Sequence, residues 1–257
     1  MTRRPPLLLV LAATVALAFL ALPLAGLLAR APWRHLSDLV TTPSARAALR
    51  LSLECSFGAL AIALVTGVPL AWLLARRDFP GKSVLRAVVT VPLVLPPVVG
   101  GIALLFAFGR HGIVPLHIAF TTWGAMAAEA FVAMPFLVLA VEGAIASLDE
   151  RYEDVAATLG AGPLTTFRRV TLPLVAPGLA AGAALAWARA LGEFGATITF
   201  NGSLPGRTQT LPLAVYFELQ GHPETAAALS ILLLSLSALV LVGLGGYWRG
   251  RWRGARS

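Results

Sequence analysis

The chain has 257 residues, 58% of them hydrophobic and only 12% charged. Soluble domains carry about 25% charged residues, so this composition excludes an ordinary water-soluble enzyme or binding module and makes the bilayer the solvent. The net charge of +8 does not point to nucleic acid, because the position of the basic residues matters more than their sum.

A helix crosses the hydrocarbon core with about 20 apolar residues, and six such runs follow one another. Residues 7–28 carry no charge. Arg3 and Arg4 precede them, as in a cleavable signal peptide, but a signal's apolar region is usually about 7–15 residues. An uncleaved first helix is the simpler reading. Residues 55–75 are charge-free, with Glu54 just before them and Arg76 and Arg77 just after. Cys55, the single cysteine, excludes an intrachain disulfide and reads as a small packing residue. Residues 87–109 also lack charge. Pro92, Pro96, Pro97, Gly100 and Gly101 are expected to distort this third span and free backbone groups, which places it near a pathway. Residues 123–146 contain Glu129 and Glu142, residues 174–200 contain Arg189 and Glu193, and residues 226–247 contain no charge. Gly178 and Gly182 allow close helix contact in the fifth run. The fold class that follows is all-α, a polytopic membrane protein with about six spans in a single transmembrane domain, 1–257.

Short loops rich in Lys and Arg stay on the cytoplasmic side. One set of alternate segments holds Arg3 and Arg4, then Arg76, Arg77, Lys82 and Arg86, then Arg151, Arg168 and Arg169, then Arg249, Arg251, Arg253 and Arg256. The opposite set holds Arg30, Arg34, Arg46 and Arg50, then Arg110, then Arg207. The first set is therefore inside, and both termini are cytoplasmic. The segment around residues 30–50 fits the rule least well. Trp33, Trp123, Tyr247 and Trp248 suit interfacial belts or packing against neighbouring helices.

No nucleotide site or catalytic constellation emerges. Gly81-Lys82-Ser83 resembles the end of a phosphate-binding loop, but the glycine needed five positions earlier is Arg76. His35, His111, His117 and His222 have no metal-ligand spacing with the cysteine and fall in external loops, so no metal is expected.

The informative segment lies between the fourth and fifth spans, at about residues 149–173. Glu150, Glu153 and Asp154 set negative charge near a helix start, and Ala156 and Ala157 are small. Gly160 followed by Gly162 and Pro163 stops that helix. A short second helix is expected to follow and to end before Pro173. A helix, a sharp turn and another helix outside the bilayer could fit a cleft in a partner, or could form an ordinary amphipathic loop.

The spacing of this segment resembles the EAA loop of bacterial ABC importer permeases of type I. Asp154, Val155 and Ala156 stand where that loop has Glu-Ala-Ala, Gly160 matches its glycine, and Val170, Leu172 and Pro173 match its end. Asp for Glu, Val for Ala and Val for Ile are departures. The stretch Arg189-Ala190-Leu191-Gly192-Glu193-Phe194-Gly195-Ala196-Thr197 looks like molybdate permeases, as do Asn201-Gly202 and Gly206-Arg207-Thr208-Gln209-Thr210-Leu211-Pro212-Leu213. Sulfate permeases are near relatives, similar around Gly192-Glu193 and in the proline-rich run from Pro92 to Val99. The resemblance covers roughly residues 50–220.

It implies the permease subunit of an ATP-driven importer of a tetrahedral oxyanion, molybdate first and tungstate or sulfate as alternatives, in a bacterial inner membrane. It also implies a second copy of this chain, two ATPase subunits that bind the ATP, and an external solute-binding protein. No cofactor is expected in the chain itself. A secondary transporter would show inverted repeats and an intramembrane enzyme would need convergent catalytic groups; neither is seen. Arg189 and Glu193 are spaced i and i+4, so they share a helix face and can pair. Ionisable residues inside a membrane mark substrate paths by default. Arg189 held by Glu193 can offset a dianion's charge in passage, with Thr197, Thr199 and Asn201 continuing the path, or the pair can serve helix packing and the polar groups can bond neighbouring helices.

Overall fold

The computed structural model describes the backbone of residues 6–254 and the side-chain surroundings of residues 6–240. Arg3, Arg4 and Arg256 lie outside the described residues, and the side chains of Tyr247, Trp248, Arg249, Arg251 and Arg253 lie outside those with described surroundings. Every regular element among the described residues is helical.

The first span is α1, Leu7–Ala29. None of its residues is buried, and it stands at the periphery against the last helix. A short helix, α2 (Leu36–Val40), leads into α3, Pro43–Arg76. Thr42 caps α3 by accepting the Ala45 N–H at 3.3 Å, and Pro43 occupies the first turn, where a missing N–H costs nothing. The helix therefore starts well before residue 55, and Glu54 lies inside it. Its 34 residues span about 51 Å at 1.5 Å per residue, so it projects beyond the hydrocarbon core. Arg50 and Glu54 pair at 2.6 Å on an exposed part of that helix.

The third span is two helices, α4 (Lys82–Val94) and α5 (Pro97–Phe108). Pro96 and Pro97 supply no N–H and disfavour a helical conformation in the residue before them, and Leu95 is extended at ψ 133°. The expected distortion is thus a complete break. Helix α6, Thr122–Ala146, runs unbroken through the centre, and its apolar stretch is the most enclosed of the long helices.

The segment after α6 begins with α7, Arg151–Thr158, and continues as α8, Pro163–Thr166. The short second helix does not end before Pro173. A π turn, Phe167–Thr171, carries it without interruption into α9, Leu172–Leu191. Proline clashes with the carbonyl four residues back. The wider turn, whose closing N–H reaches back to the Phe167 carbonyl, lets Pro173 sit in the first turn of α9.

The fifth span also differs from a single helix over 174–200. Helix α9 stops at Leu191, and α10, Gly195–Asn201, starts after a three-residue interruption. Helix α11 (Leu211–Gly221) then packs on α3 and on α12 (Pro223–Gly254).

The core is a three-helix stack of α3, α6 and α9. Ala59, Ala63, Ala71, Ala130, Ala133, Ala186 and Ala190 are buried at its contacts, with Leu74, Leu137, Val138, Val141 and Ile145 filling between them. Lipid tails are as apolar as leucine, so close approach through small residues drives association here. A Cβ on Gly182 would stand 2.8 Å from Ala140 Cβ. The Gly178/Gly182 face is therefore used within the chain, against α6.

Candidate functional site

Helix α7 has Glu153 and Asp154 in its first turn, where carboxylates oppose the positive end of the peptide dipoles. It closes on Gly160, at φ +83°. The Gly160 N–H reaches the Ala157 carbonyl at 2.9 Å and the Ala161 N–H reaches the Ala156 carbonyl at 3.0 Å. These two bonds form the Schellman closure, which requires a left-handed residue and favours glycine. Nothing lies within 4 Å of a Cβ built there, so the glycine serves backbone conformation and not space.

The turn presents an apolar surface. Tyr152, Val155 and Leu159 recur at helical spacing along α7, and all three are exposed, Leu159 at 82%. Leu164 on α8 adds to it. Asp154 is exposed, Ala156 half-buried, and Val170 and Leu172 are half-buried at the root of α9, with Pro173 exposed beside them. The residues 154–160 are thus displayed outward, while 170–173 join the loop to the helix stack.

The loop is fastened by side chains. Arg76, the last residue of α3, has only 7% of its side chain exposed and lies 3.0 Å from Glu153 and 3.4 Å from Glu150. Its Nη2 donates to the Leu148 carbonyl at 3.2 Å. The Thr171 hydroxyl donates to the other Glu153 oxygen at 2.6 Å. Higher on the stack, Arg86 of α4 pairs with buried Glu142 of α6.

The second region lies at the opposite end of α9, where two broken helices meet. Helix α10 packs on α5. A Cβ on Gly101 would collide with the Thr199 hydroxyl and stand 2.7 Å from the Ala196 carbonyl oxygen. Arg189 sits in the last turn of α9 and Glu193 just beyond it. Arg189 Nη2 lies 2.6 Å from Glu193 Oε2, a contact of charges whose N–H is not aligned on the oxygen. Glu193 Oε1 accepts the Ala196 N–H at 2.7 Å. One carboxylate thus holds Arg189 and ties down the start of α10. Glu193 is buried, whereas 28% of the Arg189 side chain remains open.

The other polar residues divide. The Thr199 hydroxyl donates to the Gly195 carbonyl at 2.8 Å and lies 3.4 Å from the Val98 carbonyl, bridging α10 and α5. Asn201 is buried, accepts the Phe120 N–H at 2.7 Å and donates to the Thr121 carbonyl at 2.6 Å. Thr197 is buried, and its hydroxyl has no partner among the described residues. The structure therefore gathers Arg189, Glu193 and Thr199 around the break and turns Thr197 and Asn201 into the packing. No group of His, Cys, Asp and Glu suited to a metal occurs among the described residues.

The sequence matches the family described as "Binding-protein-dependent transport system inner membrane component" over residues 67–245, which contain both regions. The chain belongs to this family. It is a multi-pass inner membrane transport subunit and not an enzyme. The "Molybdenum transport system permease protein ModB" of Mycobacterium tuberculosis is 46% identical over 242 residues, covering 91% of this chain and 92% of the relative. The "Sulfate transport system permease protein CysT" of Salmonella typhimurium is 36% identical over 236 residues, covering 88% and 85%. A solved bacterial alginate ABC transporter, in complex with a periplasmic protein bound to an alginate pentasaccharide, superposes with a TM-score of 0.73 at 17% identity, over 92% of this chain and 91% of that chain. This last likeness concerns the fold.

Two features of these regions were not singled out from sequence. Arg76 reads there only as a basic residue at a span end, because its carboxylate partners lie more than 70 positions away. The interruption at Gly192 is likewise hidden within an apolar run, since a capping carboxylate three residues before an N–H is a short-range signal that Glu193 shares with any helical ion pair.

Proposed function

We propose that the chain is the permease subunit of an ATP-driven importer of molybdate. The observation that carries the substrate is the 46% identity, over 91% of the chain, to a protein named as a molybdenum transport permease, against 36% to one named for sulfate. The exposed apolar surface of α7 and α8 supports docking of a separate ATPase subunit, which binds the nucleotide. Asp154, Val155, Ala156 and Gly160 form the docked turn, and Val170, Leu172 and Pro173 pass its movement to α9.

Two copies of the chain enclose one path, with two ATPase subunits on the cytoplasmic side and a solute-binding protein outside. Both termini are cytoplasmic. ATP binding draws the coupling turns together and opens the path outward; the binding protein releases its anion; hydrolysis restores the inward-facing state. Arg189, restrained by Glu193, attracts the dianion without trapping it, because the neighbouring carboxylate limits its net field. Thr199 contributes a hydroxyl at the same break, and Thr197 and Asn201 shape the wall behind it.

Uptake into vesicles holding the full complex tests the substrate. Labelled molybdate is expected to enter, and excess molybdate or tungstate to compete better than excess sulfate. Competition by sulfate equal to that by molybdate would move the assignment to the sulfate branch.

A further inference from the structure

The coupling turn has to deliver movement to the membrane helices, and the chain runs on from it through α8 and the π turn into α9. Helix α7 packs against α8 and the π turn but has little backbone contact with α3. The connection to α3 is made by side chains, and it converges on Arg76.

The guanidinium of Arg76 faces three groups at once: Nη2 donates to the Leu148 carbonyl just before α7, Nη1 donates to Glu150 at its start, and Nε lies 3.0 Å from Glu153 in its first turn, a contact of charges whose N–H is not aligned on the oxygen. The planar fork fills three directions that a lysine ammonium on its flexible stem does not fill together. Exposed ion pairs hold little, but this side chain is 7% exposed and Glu153 is 20% exposed. Glu153 then passes the link on, since its second oxygen accepts the hydroxyl of buried Thr171 at the root of α9. A continuous series therefore runs from α3 through Arg76 to Glu153 on α7 and through Thr171 to α9. The opposite side of α7 remains free, with Tyr152, Val155 and Leu159 exposed.

We propose that Arg76 is the positioning residue that makes α7, the end of α3 and the root of α9 move as one body, so that a push on the coupling turn reaches both core helices. Without it the ATPase still docks on the outward surface, but α7 swings on its backbone connections while α3 stays behind. This inference rests on the reading of α7–α8 as the ATPase-docking turn, and the two fail in different ways.

The test uses the full importer, reconstituted with its ATPase subunit and binding protein, in wild-type form and as Arg76→Gln, Arg76→Lys, Glu153→Gln and Thr171→Val. Three quantities are read: ATPase co-purified per permease, ATP hydrolysed, and molybdate taken up per ATP. Arg76→Gln and Glu153→Gln are each expected to co-purify the ATPase as wild type does and to lower uptake per ATP about tenfold, within the range of ordinary coupling free energies. The double variant is expected to be no worse than either single one, because the two residues act through one contact. Thr171→Val, which cuts only the α9 branch, is expected to give a smaller loss, and Arg76→Lys a partial recovery. Unchanged uptake per ATP in both single variants overturns the proposal, as does an additive double variant. If Arg76→Gln does not accumulate, Glu153→Gln and Thr171→Val decide, since both keep the buried arginine. Failure of the wild-type chain to co-purify any ATPase overturns the docking reading itself.

Discussion

Gly160 holds a backbone conformation that other residues adopt only with strain. Gly160→Ala meets no steric obstacle from neighbours, so its expected cost is the left-handed penalty of about 1–2 kcal/mol, concentrated on the turn between α7 and α8. The expected outcome is a permease of near-normal abundance that co-purifies less ATPase, measured as subunit ratio in detergent. Arg189 and Glu193 separate differently. Arg189→Gln removes the half-open cation but leaves the α10 cap intact, and is expected to reduce uptake at unchanged abundance. Glu193→Gln keeps an oxygen for the Ala196 N–H while leaving Arg189 unpaired, so uptake is expected to fall with some loss of abundance. Equal loss of abundance in both variants would make the pair a packing device alone.

At the scale of elements, α9 approaches α6 through Gly178 and Gly182, opposite Ala144 and Ala140. Gly182→Leu forces a branched side chain against Ala140 and Leu137. Overpacking of this kind costs about 1–3 kcal/mol, and a lowered thermal midpoint in detergent is the expected reading. The six apolar runs were legible in sequence because span length and charge exclusion are set by the bilayer itself. The break in the third span was legible as a distortion, since Pro96 and Pro97 act locally. The break after Leu191 was not. It depends on Glu193 capping α10 and on Gly101 of α5 admitting Thr199 of α10, and contacts between residues about a hundred positions apart leave no periodic trace. Asn201 shows the same limit: its amide reads as a path donor by type, and only the fold commits it to Phe120 and Thr121. The loop from Asp154 to Gly160 was readable because its turn follows from glycine's own conformational freedom. The continuation through Pro173 was not, because the π turn that accommodates the proline has no residue signature of its own.

For the whole molecule, the packed helices α3, α6 and α9 form a frame, and two spans, α4–α5 and α9–α10, are interrupted. The frame carries the α7–α8 turn at one end of α9, and the interruptions before α5 and α10 meet at the other. Movement at the turn can therefore reach the break along a single helix about 30 Å long, by the rise of 1.5 Å per residue. The most direct measurement is molybdate uptake by vesicles containing this chain with its ATPase subunit and binding protein, with and without ATP inside the compartment the ATPase faces. Uptake is expected only when ATP and all three components are present, and to disappear when the turn from Asp154 to Gly160 is replaced by a flexible linker. Uptake by this chain alone, or a complex that transports without hydrolysing ATP, would contradict the account.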